Sequence, residues 1–123
     1  MKAALLVFIG GGLGSVLRFL IGRQMNMASP SFPWGTFTVN LVGSLIIGLI
    51  FGWILEKGKI SENTLLFFVA GFCGGFTTFS AFAHESMTLF KSGHTALFLS
   101  YVASSVIFGL LCVWLGYAIV RAV

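Results

Sequence analysis

Apolar residues fill four long stretches of the chain almost without interruption, and polar residues gather between them rather than at helical or strand intervals. A half-buried helix or strand in a soluble protein shows a recurring polar face. Runs this long and continuous instead have the length of membrane-spanning helices. The pattern predicts helices over residues 3–22, 34–55, 62–90 and 95–120. The first closes at Gly22, Arg23 and Gln24, before a polar, Pro-containing connection from Asn26 to Pro33. The second ends at Glu56, Lys57, Gly58 and Lys59. Ser61 is placed to cap the third helix, with acidic Glu62 in its first turn. Lys91, Ser92, Gly93 and His94 lead into the fourth. Connections this short make successive helices antiparallel neighbours.

Composition agrees with the pattern. Of the 123 residues, 58% are hydrophobic and 8% charged, against about a quarter charged in soluble domains. Four spans use most of the length, so residues 1–123 are expected to form a single all-α transmembrane domain. The first apolar run lacks a convincing cleavage site and precedes three more spans, so it is expected to be retained rather than removed as a signal peptide.

The formal charge of +4 comes from 7 basic and 3 acidic residues. The basic residues do not cluster as a nucleic-acid footprint requires. They sit at the ends of apolar runs, where snorkelling anchors belong. Lys2, Lys57, Lys59 and Arg121 fall on one side of the membrane, and Arg23 and Lys91 on the other, joined by Arg18 if it snorkels that way. So even a split gives the positive-inside rule little to act on, which permits insertion both ways up and an antiparallel homodimer. Cys73 and Cys112 lie inside apolar segments and read as small packing residues rather than disulfide or metal partners.

Glycines recur four apart, as Gly10 with Gly14, Gly48 with Gly52, and Gly71 with Gly75. Such pairs let helices approach closely in lipid. The last pair belongs to the run from Gly71 to Phe82 in the third apolar stretch, which is longer than one straight span needs. Adjacent Gly74 and Gly75, followed by β-branched Thr77 and Thr78, make a weak place for a helix, and a break is expected near residues 74–78. Backbone groups freed at membrane depth are tolerated only when buried in protein or lining a cavity, and broken helices in transport proteins use them to hold ions. A glycine kink that only packs helices is the plainer alternative.

Other polar residues reinforce an ion site. Asn40 carries an amide that lipid cannot satisfy, so it needs a pore or an interhelical partner. Ser80, Ser104 and Ser105 are weaker signals, because serine can bond its own helix. Glu85, with His84 beside it, is a vestibule group, a proton-linked site or half of a buried pair. Arg18 is the matching basic residue in the first span. Phe79 and Phe82 share a helix face. Among 14 phenylalanines such a pair is by default core or lipid-facing, yet an aromatic ring has a positive edge. Beside hydroxyl and amide donors, that edge can hold a small anion without a full counter-charge.

The run Gly74-Gly75-Phe76-Thr77-Thr78-Phe79-Ser80-Ala81-Phe82, with Trp34-Gly35-Thr36-Phe37-Thr38-Val39-Asn40 and the early Gly14 and Arg18, resembles the Fluc/CrcB fluoride channels across the whole chain. The resemblance implies a passive, selective fluoride channel of the bacterial inner membrane that confers fluoride resistance. It implies an antiparallel, dual-topology homodimer in the lipid bilayer, with two pores and no other protein required. Phe79, Phe82, Asn40, Ser80 and Thr78 would line the fluoride pore, with Glu85 and Arg18 near its ends. A central structural sodium ion (Na+) would take the backbone carbonyls of Gly74 and Thr77. Members of that family often carry Thr at the position of Ala81, Ser at that of Ala83 and a pore serine where Gly109 falls, so part of the hydroxyl track is missing here. Ser105, one turn before Gly109, is a candidate replacement.

The main rival is a small four-helix proton-coupled multidrug exporter. That reading wants an essential membrane carboxylate, typically in the first helix, where this chain has Arg18. A proton-coupled fluoride antiporter and a purely structural membrane protein are further alternatives. No catalytic residues are expected, because His84 and His94 have no partner spacing that assembles a metal or nucleophile site.

Overall fold

A computed structural model describes residues 1–28, 31–58 and 60–123. Lys59 and the Ser29–Pro30 pair of the first connection lie outside the described residues. Described residues form α1 (Lys2–Ala28), α2 (Trp34–Lys57), α3 (Glu62–Leu65), a π-helical stretch (Leu66–Cys73), α4 (Gly74–Phe76), α5 (Phe79–Lys91) and α6 (Thr95–Ala122). The architecture is all-α, and four helical segments are long and apolar enough to cross a membrane: Lys2–Asn26, Trp34–Lys57, Glu62–Lys91 and Thr95–Ala122.

The ends of these helices follow local chemistry. Ser61 caps α3, its hydroxyl accepting the Thr64 N–H at 3.1 Å, with Glu62 in the first turn. Gly58 and Gly93 take positive φ values of 96° and 81° after α2 and α5, a conformation that costs glycine little. Helix α1 continues through Gly22 to Ala28, past the closure expected at Gly22–Gln24. Its polar tail is held by the start of α2. A Cβ on Gly35 would lie 2.6 Å from the Gly22 Cα, and Asn26 Oδ1 accepts the Gly35 N–H at 3.0 Å. That bond satisfies one of the donors that every helix N-terminus leaves open.

Two tight seams build the bundle. Along one, α1 lies on the Leu66–Phe76 segment. Cβ atoms added at Gly10 and Gly14 would fall on the Phe67 and Phe72 carbonyls, and one at Gly75 would fall on the Gly11 carbonyl. Along the other, α2 lies on α6, where a Cβ at Gly48 would strike the Val113 carbonyl and one at Gly116 would lie 2.6 Å from the Leu49 nitrogen. Only backbones without side chains approach this closely, as small-residue packing in lipid requires. The paired glycines of the sequence therefore do steric work, and Gly74 and Gly75 are both helical. The extended residues are instead Thr77 (φ −83°, ψ 160°) and Thr78 (φ −153°, ψ 117°).

Among the described residues, few hydrophobic side chains are buried: Val39, Cys73, Phe76, Tyr101 and Val120. Leu13, Phe19, Phe79, Leu110 and Trp114 are among the many large apolar residues that face outward. A surface so apolar fits lipid or a protein partner, not water.

Candidate functional site

The site is organised around the two extended threonines. The Thr77 N–H and Oγ1 both donate to the Cys73 carbonyl, at 2.9 and 2.8 Å, closing the helix that ends at Phe76. The Thr78 hydroxyl then accepts the Ala81 N–H at 3.2 Å and caps α5, a role for which threonine is well suited. Across from them, Asn40 on α2 makes both bonds its amide offers to a peptide unit. Its Oδ1 accepts the Thr78 N–H at 2.8 Å and its Nδ2 donates to the Thr78 carbonyl at 3.1 Å. One turn along α2, Gly43 leaves room for the Thr77 methyl group, which a Cβ there would strike.

Helix α1 serves the same backbone from its other side. Arg18 Nη1 donates to the Thr77 carbonyl at 3.0 Å, and Ser15 Oγ donates to the Gly75 carbonyl at 3.4 Å. Asn40 also changes the account of Gly74. In a continuous α-helix the Gly74 carbonyl would accept the Thr78 N–H, but that N–H goes to Asn40. The Gly74 carbonyl thus loses its α-helical partner, and Gly74 is exposed.

Beside this interruption lies an open groove of about 270 Å³ lined by Asn40, Ser44, Ile47, Thr77, Thr78 and Phe79. Phe79 is 79% exposed, and its ring lies 5.8 Å from that of Phe82, centroid to centroid. Ser80 is exposed, its hydroxyl 3.3 Å from that of Thr78. A Cβ on Gly109 would lie 3.9 Å from Ser44 Oγ, so that position of α6 faces the groove's serine. Ser105 Oγ is buried without a hydrogen-bond partner among the described residues.

Glu85 sits one turn beyond Phe82. Its Oε1 accepts the Thr36 hydroxyl at 2.7 Å and its Oε2 the Tyr101 hydroxyl at 2.8 Å. Both donors are buried, Tyr101 completely, and the Tyr101 ring packs at a tilt against Phe82 and edge-to-face against Phe32, with centroids 5.2 Å apart in each pair. A polar line therefore runs from Thr78 and Ser80, past Phe79 and Phe82, to the Tyr101–Glu85–Thr36 cluster. Arg18 stands apart from it, on the α1 side of Thr77. Sequence reasoning did not single out Tyr101, Thr36 or Ser44 as site residues. Tyr101 had one usable signal, a phenol inside an apolar run, which must find an acceptor when buried.

The model of the CrcB-like protein family (Camphor Resistance, CrcB) matches residues 5–117. The chain is 45% identical over 120 residues, 94% of each chain, to a fluoride-specific ion channel of Bacteroides fragilis. It is 44% identical over 123 residues to one of Rhizobium meliloti, covering 99% of this chain and 98% of the relative. A third, from Novosphingobium aromaticivorans, is 45% identical over 126 residues, with 100% and 99% covered. Together with four helices long and apolar enough to span a bilayer, this likeness makes the chain a multi-pass membrane protein. With family match and relatives both running nearly end to end, the chain belongs to the CrcB-like family.

Proposed function

We propose that the protein is a passive, selective fluoride channel that works as an antiparallel, dual-topology homodimer in the bacterial inner membrane. The observation that carries this reading is the open groove of Asn40, Ser44, Thr77, Thr78 and Phe79 on the surface of the subunit, in a chain whose near-full-length relatives are named fluoride-specific ion channels. Four closely packed helices leave no room for an internal pore. A polar groove rimmed by an exposed phenylalanine is what one wall of a narrow conduit looks like before its second wall is added. In the antiparallel dimer each subunit contributes such walls, giving two pores, and the interruption at Thr77–Thr78 lies at mid-membrane depth.

Fluoride is small and strongly hydrated, so the path must replace its water with donors. The second Nδ2 hydrogen of Asn40 remains after its bond to Thr78, and the Thr78 and Ser80 hydroxyls stand beside it. The ring edges of Phe79 and Phe82 supply weak positive potential, which holds an anion loosely enough to let it leave. Chloride, being larger, is excluded by the tight passage. Export of fluoride confers fluoride resistance on the cell, and the protein is not an enzyme.

A structural sodium ion at the dimer centre would supply fixed positive charge between the subunits. Gly74 is exposed and its carbonyl has lost its α-helical partner, which suits such a ligand. The Thr77 carbonyl is less suited while Arg18 donates to it, because a cation there would share the oxygen with a guanidinium. The geometry thus supports Gly74 more directly than Thr77.

Proton-coupled drug export finds little support. Its best candidate carboxylate, Glu85, already accepts two hydroxyl donors. The deciding experiment is release of fluoride from liposomes carrying purified protein, followed with a fluoride electrode beside a chloride-loaded control. Rapid fluoride release without chloride release or a pH gradient, lost in Phe79→Ile and Asn40→Asp, is expected. No release from well-reconstituted dimers would sink the reading, and release only under a proton gradient would make the protein a coupled transporter.

A further inference from the structure

A separate cavity lies where α2 and α6 end side by side, with Glu56 about 24 Å along α2 from Asn40. Its volume is about 240 Å³. Gly52 brings the two helices closest here, since a Cβ on it would lie 3.1 Å from the Tyr117 Cα. Beyond that contact, Leu55 and Glu56 of α2 face Trp114, Tyr117, Ala118 and Arg121 of α6 across the opening. The four α6 residues recur at intervals of three and four, so they share one face.

These groups are layered along the helices. Arg121 is in the last turn of α6, and both it and Glu56 are exposed. Trp114 lies about 10 Å deeper and is 65% exposed, with Tyr117 between. A phospholipid presents the same order: a charged headgroup, then ester-linked glycerol, then acyl chains. Tryptophan and tyrosine favour the middle of these layers.

The chemistry at the charged end is specific. A helix C-terminus offers open carbonyls but no spare N–H, so the Glu56 carboxyl must find donors outside α2. The Arg121 guanidinium is a fork that can give two N–H bonds to one phosphate. No ion pair joins Glu56 to Arg121 among the described residues, and both line the cavity.

We propose that this cavity binds the headgroup of phosphatidylethanolamine drawn from the bilayer. Arg121 donates to its phosphate, its ammonium donates to a Glu56 oxygen, and Tyr117 and Trp114 flank its glycerol. Phosphatidylcholine carries the same charges but no N–H donor, so it leaves Glu56 without a partner. The site is independent of what the protein conducts.

The test adds phosphatidylethanolamine or phosphatidylcholine with identical chains to the purified protein in detergent and reads bound lipid by native mass spectrometry. The wild type is expected to retain about fivefold more phosphatidylethanolamine, the worth of one hydrogen bond. Glu56→Leu should bring that ratio to about one. Arg121→Leu should lower retention of both lipids by about fivefold or more. Lys91→Leu, at the far end of α5, should change neither and controls for general attraction to a cation. Equal retention by the wild type, a ratio kept in Glu56→Leu, or an equal loss in Lys91→Leu would overturn the site. Retention of neither lipid, as when a second copy covers this face, would overturn it as well. So would competition by chain-free glycerophosphoethanolamine at equal concentration, which would assign the cavity to a soluble phosphoester.

Discussion

Asn40 and Thr78 form a closed pair across 38 residues of sequence, the asparagine amide taking the N–H of the threonine at 2.8 Å and giving its own hydrogen to the threonine carbonyl at 3.1 Å. An apolar bilayer offers no water to replace either bond. One side chain thereby makes an extended peptide unit tolerable inside a helical span.

Replacing Asn40 with alanine should strip both partners from the Thr78 peptide unit. The expected cost is about 1–3 kcal/mol for each buried group left unpaired, seen as a lowered melting temperature in detergent, with fluoride release lost. Asn40→Asp keeps the acceptor for the Thr78 N–H but sets a second acceptor oxygen against the Thr78 carbonyl. It should melt below wild type and block an anion.

Phe79 is expected to behave in the opposite way. With most of its surface exposed in the subunit, it contributes little to the subunit's own packing. Phe79→Ile should leave the melting temperature of the subunit nearly unchanged while fluoride release falls by at least tenfold. A large loss of stability without loss of flux would remove Phe79 from the path.

The carboxylate of Glu85 is held by two hydroxyls, and each can be removed without adding bulk. Tyr101→Phe and Thr36→Val should each lower stability by about 1–3 kcal/mol, the cost of leaving a polar atom of Glu85 without its partner. Because both act on one carboxylate, the double variant should depart from additivity by about 0.5 kcal/mol or more. Thermal melting of the four proteins measures the coupling, and strict additivity would mean that the two bonds are independent.

Neighbouring glycines on α1 offer an internally controlled test of the seam. A Cβ at Gly10 would fall on the Phe67 carbonyl, whereas one at Gly11 would lie 3.7 Å from the Gly71 carbonyl, an ordinary contact. Gly10→Ala should sharply reduce the yield of folded protein, and Gly11→Ala should be tolerated. The comparison reads out by size-exclusion chromatography in detergent.

Much of this architecture is legible in the sequence because lipid imposes simple demands. Continuous apolar runs locate the four spans, Ser61 and Glu62 mark the start of the third, and the four-apart glycines lie where backbones touch. The rest depends on partners distant in sequence. Gly22, Arg23 and Gln24 look like a helix end, yet α1 continues to Ala28 because Gly35 and Asn26 hold it against α2. The weak place expected near residues 74–78 includes Gly74 and Gly75, but both are helical and Gly75 is pressed against α1. The extended residues are the threonines after them, where Asn40 and Arg18 supply bonds that the helix gives up. The π-helical turns from Leu66 to Cys73, which lie against α1, have no local signature in the sequence. Tyr101 and Thr36 become site residues only once Glu85 is seen between them.

The two threonines between α4 and α5 also act as a spacer whose length carries meaning. Each extended residue advances the chain by about 3.3 Å and sends the next side chain to the opposite face. Inserting or deleting a single residue between Phe76 and Phe79 would shift and turn the whole of α5, unless another part of the chain gave way. Phe79, Phe82 and Glu85 would swing off their common line together, although none of them had been altered. Substitutions along this path can be accommodated one at a time, whereas a change of length there re-aims every side chain downstream at once.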